Sequence, residues 1–115
     1  MSVEAIYNEG FQMRCDGRYR EARQAFEQVV AQDPGHTAAR WQLALIQGFE
    51  GDFDGSLESL KSLHEEHPEN QDVLNDLGMT YMMLGFTEEA CSAFRRLVAI
   101  NPDHENAIRQ MVYCG

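Results

Sequence analysis

The chain has no long apolar run: nothing in its 115 residues approaches the ~20 consecutive apolar positions that a membrane-spanning helix needs. Its opening, Ser2-Val3-Glu4-Ala5-Ile6 after Met1, has neither a basic cluster nor an apolar signal core. The expectation is a cytoplasmic protein, or a segment cut from a larger one. Cysteine is scarce as well. Cys15, Cys91 and Cys114 are odd in number and contain no Cys-x-x-Cys pair, which argues against a disulfide framework or a zinc site. Cys15 and Cys91 fall among apolar neighbours and are expected to be buried or half-buried free thiols. Basic side chains are few: nine Lys and Arg face nineteen Asp and Glu, for a net charge of −10. Such a surface repels phosphate backbones and anionic lipid, so nucleic acid and membrane are excluded as partners. Residues 37–70 hold two basic and seven acidic side chains, so a patch for a basic partner would lie there, although acidity kept for solubility would look the same.

The constellations that catalysis needs are missing too. Asp16-Gly17, Gly51-Asp52 and Gly85 are not followed by Gly-Lys-Ser/Thr, so they read as turns and not as phosphate-binding loops. No nucleophile stands beside a base and an orienting group in a known pattern. His64 and His67 lie three apart around Glu65 and Glu66. No second cluster completes a metal site, and the spacing differs from His-x-x-x-His, so a solvated helix end is expected. His36 and His104 fall in turns. No enzyme activity, cofactor or metal is expected.

Only three prolines are present, and Pro34, Pro68 and Pro102 are evenly spaced by 34 residues. Each ends an apolar-periodic stretch, after Asp33, His67 and Asn101. Proline lacks a backbone N–H and restricts the residue before it, so each marks a helix end. A stop recurring at this interval means one supersecondary unit copied in tandem.

The third copy is the clearest. Leu74, Leu77, Gly78 and Tyr81 share one face of a first helix, and Gly78 lets a second helix approach. Gly85 ends the first helix and Thr87 is placed to cap the second. Ala90 is a small contact residue, while Phe94, Leu97 and Val98 fill the space between helices. A large apolar residue followed by Leu-Gly, Tyr, Ala, Phe and Pro at these offsets resembles the tetratricopeptide repeat, with Leu74 in place of the opening Trp. The first copy matches through Ile6, Gly10, Gly17, Tyr19, Ala22, Phe26 and Pro34, and departs at Glu9 and Met13. The second is the weakest: Leu43-Ala44, Gln47, Ser56 and Leu60 replace the favoured residues, while Gly51 and Phe53 match.

The resemblance covers nearly the whole chain. It implies an all-α fold, a right-handed superhelix of three helix-turn-helix repeats (about 3–36, 37–70 and 71–104) in a single domain over 1–115. A capping helix follows over 104–113, begun by Asp103, with Ala107, Ile108, Met111 and Val112 on one face. Helices are expected at about 3–15, 19–32, 37–50, 53–67, 71–84, 87–101 and 104–113.

In this family the first helix of each pair lines a concave groove. Here that implies Glu4, Tyr7, Phe11 and Arg14; then Ala38, Trp41, Leu45 and Phe49; then Asp72, Asn75, Met79 and Met82 or Met83. Asn106, Arg109 and Tyr113 would come from the tail. Large apolar residues at helical spacing also pack between helices, but Ile6, Leu43, Leu74, Leu77 and Tyr81 already supply the core. The expected peptide-binding site is therefore Tyr7, Phe11, Trp41, Leu45, Met79 and Met82. Aromatics would anchor, and Met would adapt to, an apolar helix or peptide, with Glu4 and Asp72 favouring positive charge. Some relatives clamp a C-terminal carboxylate with Lys, Asn and Arg. At those places this chain has Tyr7, Phe11, Gln42, Asp72 and Asp76, whose two carboxylates would repel such a ligand.

The expected function is a protein–protein interaction module. A homodimeric assembly scaffold would use the same groove, or the Met-rich edge, as its interface, and an accessory domain removed from a larger enzyme is another alternative. A secretion-type chaperone for a hydrophobic client is the third alternative. Ile6-Tyr7-Asn8-Glu9-Gly10-Phe11 followed by Gly17-Arg18-Tyr19, Ala22 and Phe26 is similar to the first repeat of class II type III secretion chaperones. That reading would expect a longer N-terminal extension than the five residues ahead of Ile6.

Overall fold

Four side chains spaced 34 residues apart begin alternate helices in the same way. In the computed structural model, which describes residues 2–114, Ser2 Oγ accepts from the Ala5 N–H at 3.1 Å, and His36 Nδ1 from the Ala39 N–H at 3.1 Å. Asn70 Oδ1 accepts from the Val73 N–H at 3.1 Å, and His104 Nδ1 from the Ala107 N–H at 3.2 Å. Each satisfies an N–H that the first helical turn leaves unpaired. The helices they start are α1 (Val3–Cys15), α3 (Thr37–Phe49), α5 (Gln71–Met83) and α7 (Glu105–Met111). Between them run α2 (Tyr19–Gln32), α4 (Phe53–Glu66) and α6 (Thr87–Ile100), and a 3-10 turn over Val112–Cys114 follows α7. The sequence spacing anticipates this order, with most C-terminal ends one residue later than observed.

The ends of α1, α3 and α5 repeat as faithfully. Gly85 sits at φ 85°, with Gly17 and Gly51 alike, in the left-handed region that favours glycine. The residue after each glycine donates its N–H back to the carbonyl five positions earlier, Arg18 to Met13, Asp52 to Gln47 and Phe86 to Tyr81, each at 2.8 Å. This pairing closes the helix and turns the chain into the next one. The proline turns are also alike: His36, Asn70 and His104 donate their N–H groups to the carbonyls of Asp33, His67 and Asn101.

Two cap expectations need correction. Thr87 is the first residue of α6 and Phe86 holds the cap position, with no side-chain cap bond. His104, not Asp103, caps α7.

The chain divides into two compact units, one ending at Asp52 and the other beginning at Phe53. The first contains α1, α2 and α3. Ile6, Ala22, Ala25, Phe26, Val29, Ala39 and Ile46 form its buried cluster, with Tyr7, Met13, Tyr19 and Leu43 partly buried against it. Gly10 lets α2 come close: a Cβ there would lie 3.0 Å from Phe26 Cε1. Arg23 and Glu50 form an ion pair.

The second unit contains α4 to α7. Leu74, Ala90, Ala93, Phe94, Leu97 and Ala107 form its cluster, with Met79, Tyr81, Met82, Val98 and Met111 partly buried against it. α4 adds buried Leu57, Leu60 and Leu63. Of the face expected on α7, Ala107 is buried and Met111 packs on the cluster, whereas Ile108 and Val112 are exposed. The cause is length: α7 has seven residues, so one small residue and one methionine reach the core.

The cysteine expectations also fail. Cys91, buried on α6, is bonded to Cys114 of the 3-10 turn, with a Cα–Cα separation of 5.6 Å and a sequence separation of 23. Cys15 is the free thiol among the described residues, and it is exposed.

Candidate protein-binding faces

α1 carries its candidate residues one turn apart. Tyr7 is half-buried, its ring 5.5 Å from that of Phe26, so the core sets its position. Its other neighbours are Phe11, with centroids 6.4 Å apart, and the His36 ring at 5.2 Å. Phe11 is 39% exposed, and the Arg14 guanidinium lies 5.1 Å from its ring centroid, a cation–π contact. The Arg14 Nε is buried without a hydrogen-bond partner. Glu4 Oε1 lies 3.5 Å from His36 Nε2. Because His36 Nδ1 serves as the cap acceptor, the neutral ring carries its hydrogen on Nε2, facing that carboxylate. His36 thus joins the aromatic group as well as starting α3, a double role the sequence reading assigned only to a turn.

On α3, Trp41 and Leu45 are half-buried, and Phe49 is exposed with its ring 5.3 Å from that of Tyr19. Buried Gln42 has an Oε1 without a partner. Tyr7, Phe11, Trp41 and Leu45 all belong to the first unit.

Met79 and Met82 belong to the second. Both are half-buried on α5, against the cluster around Phe94. Asn106 of α7 donates to Asn75 Oδ1 at 2.6 Å and lies 3.6 Å from Met79 Sδ. The structure therefore brings Asn75, Met79 and Asn106 together, three of the residues expected at the groove. Met83 and Phe86 are exposed beyond them, and the Phe86 ring meets Tyr81 edge-on at 6.3 Å.

The side chains of α4, α5 and α6 line a separate, open pocket of about 310 Å3. Leu74, Leu77 and Tyr81 supply apolar lining, and His64, Glu89, Ser92 and Arg96 the polar lining. His64 is half-buried, contrary to the solvated helix end expected, and its Nδ1 has no partner. Burial, and then the Arg96 charge, push its pKa below the ordinary histidine value. The apolar neighbours that bury it come from α5, which sequence distance hides.

No helix among the described residues is long and apolar enough to cross a membrane.

Solved structures share this fold at low identity. MamA superposes with a TM-score of 0.86 at 18% identity, over 96% of this chain and 64% of that one. YrrB, described as a TPR protein with an unusual peptide-binding site, gives 0.84 at 23% over 95% of this chain and 56% of that one. A thermophilic TPR protein of Thermus thermophilus gives 0.84 at 24% over 95% and 62%. In sequence, the peroxisomal targeting signal receptor of Candida albicans is 28% identical over 94 residues, which are 81% of this chain and 16% of the receptor. This chain therefore spans about a sixth of that receptor's length. The family model for the tetratricopeptide repeat matches residues 16–47 and 50–112, most of the span in which caps, glycine turns and proline turns recur every 34 residues, and the chain belongs to the tetratricopeptide repeat family.

Proposed function

We propose that this chain is a protein–protein interaction module whose three repeats, about 3–36, 37–70 and 71–104, act together as one binding domain. Its ligand is an apolar helix or peptide held by the first helices of the repeats. Tetratricopeptide proteins generally mediate such interactions. The observation that carries the reading is Phe11: a large aromatic left 39% exposed beside Tyr7 and under Arg14, at a position its own core does not need. Rigid aromatics and arginine are the side chains that anchor protein interfaces. Trp41 and Leu45 add to the candidate residues of the first unit; Met79 and Met82 supply those of the second, where methionine suits varied apolar partners. A net charge of −10, with Asp72 exposed on α5, favours a partner carrying positive charge. A described peptide-binding site in YrrB and a targeting-signal receptor among the relatives agree with peptide recognition, each as a property of those proteins.

Capture of partners from a lysate tests this, with wild type beside a Phe11→Glu, Met79→Ala variant whose fold is checked by circular dichroism. A partner held by wild type and lost by the folded variant supports the reading. Equal recovery moves the function to another surface.

A further inference from the structure

We propose that the Cys91–Cys114 disulfide is a thiol–disulfide exchange site, taking a dithiol reductant, that releases the α7 tail from the surface of α5 and α6. The tail has little else to hold it. α7 contributes buried Ala107 and half-buried Met111, and the Asn106 contacts to Asn75 and Met79. Its remaining apolar residues face solvent, Ile108 at 49% and Val112 at 79% exposed. A helix of seven residues is too short to persist on its own propensity. The covalent link therefore adds a restraint on the segment after His104 beyond the few contacts that Asn106, Ala107 and Met111 make.

The bond is also reachable. It borders a pocket of about 370 Å3 lined by Thr87, Glu88, Arg95 and Tyr113 together with both cysteines. Cys91 is buried while Cys114 is half-exposed, so an entering thiolate meets Cys114 Sγ first. The reductant sulfur bonds to Cys114 Sγ as the bond to Cys91 Sγ breaks, and Cys91 leaves as a thiolate that takes up a proton. The second thiol of the reductant then displaces Cys114, which is protonated in turn. One dithiol becomes one disulfide, and Cys91 and Cys114 become thiols. Arg95, one turn beyond Cys91 and lining the same pocket, favours the departing thiolate, and Glu88 opposes it.

Release uncovers the α5 surface at Asn75 and Met79 that Asn106 covers when oxidised. Reduction then makes the second unit's part of the proposed binding face available; this consequence rests on the function proposed above.

The intact 115-residue chain is alkylated under denaturing conditions with and without prior reduction, then weighed by mass spectrometry. One alkylated cysteine before reduction and three after are expected; three before reduction would overturn the proposal. Native trypsin cleavage after exposed Arg109 should accelerate at least ~10-fold on reduction, because cleavage follows the population of the open segment. Nile red, a neutral apolar probe, should brighten at the same time. The Cys114→Ser variant should match reduced wild type without any reductant, which separates the lost bond from side effects of the reducing agent. Unchanged cleavage and dye response would also overturn the proposal. These readouts concern the tail alone, whereas the capture assay with Phe11→Glu, Met79→Ala decides the binding reading separately.

Discussion

Phe94 occupies the space where Gly78 has no side chain: a Cβ on Gly78 would lie 2.7 Å from Phe94 Cζ and 2.8 Å from Cε1. The ring is fully buried, so it cannot swing into solvent to make room. Gly78→Ala gains up to about 1 kcal/mol of helix propensity but forces the ring or the helices apart, at about 1–3 kcal/mol. A net loss of stability is expected in urea unfolding. In a Phe94→Leu background the clash is relieved, and the same alanine should become neutral or stabilising. Equal effects in both backgrounds would mean that the two positions are not coupled.

Phe94→Ala itself should cost about 3–5 kcal/mol, the range for a fully buried aromatic. In an array stabilised by nearest-neighbour packing the loss should appear in the global unfolding transition. A change below about 1 kcal/mol would be incompatible with its position at the centre of the α5–α6 cluster.

The cap at Asn70 gives a smaller, sharper test. Its Oδ1 accepts from the Val73 N–H, so Asn70→Ala should destabilise by about 1 kcal/mol, whereas Asn70→Asp keeps the acceptor and should cost little. Equal losses in the two variants, read from urea midpoints, would show that the side-chain bond does not hold the start of α5.

Much of this architecture is legible in the sequence because its punctuation is covalent or steric. A proline or a left-handed glycine permits few alternatives, so Pro34, Pro68 and Pro102 and Gly17, Gly51 and Gly85 place the helices almost unaided. The caps are harder to read. Histidine is a weaker capping signal than Asp or Thr, so Asp103 and Thr87 draw the assignment one residue away from His104 and Phe86. The Cys91–Cys114 bond is less visible still, because α7 must fold back on α6 before the two cysteines meet. For the candidate binding residues, helical spacing identifies a face but not a depth. Tyr7 is half-buried against Phe26 while Phe11, one turn on, is exposed, and that difference arises from where α2 packs.

His64 links stability to pH. Its pKa is lowered in the folded chain by burial and by the Arg96 charge, against a smaller opposing effect of Glu65. The folded state therefore prefers neutral imidazole, and the unfolded chain binds the proton more readily. This contribution is present in full above the ordinary histidine pKa and is lost as pH falls from there through the lowered pKa of the folded state. Urea midpoints at pH 7.5 and pH 5 should thus fall more for wild type than for His64→Gln. Identical falls would mean that His64 is solvated in the folded protein.

Phe11 and Phe26 allow the proposed binding face to be separated from the core within one unit. Phe26 is fully buried against α1, and Phe26→Ala should cost about 3–5 kcal/mol. Phe11 already shows 39% of its surface to water, and its ring contacts include Tyr7 and the Arg14 guanidinium. Removing it opens no enclosed cavity, so Phe11→Ala should cost less than about 1 kcal/mol in urea unfolding. The same substitution should weaken capture of the partner, since an exposed aromatic anchor contributes to an interface more than to its own fold. A loss for Phe11→Ala as large as that for Phe26→Ala would assign Phe11 to the core and leave α1 without the contact residue proposed for it.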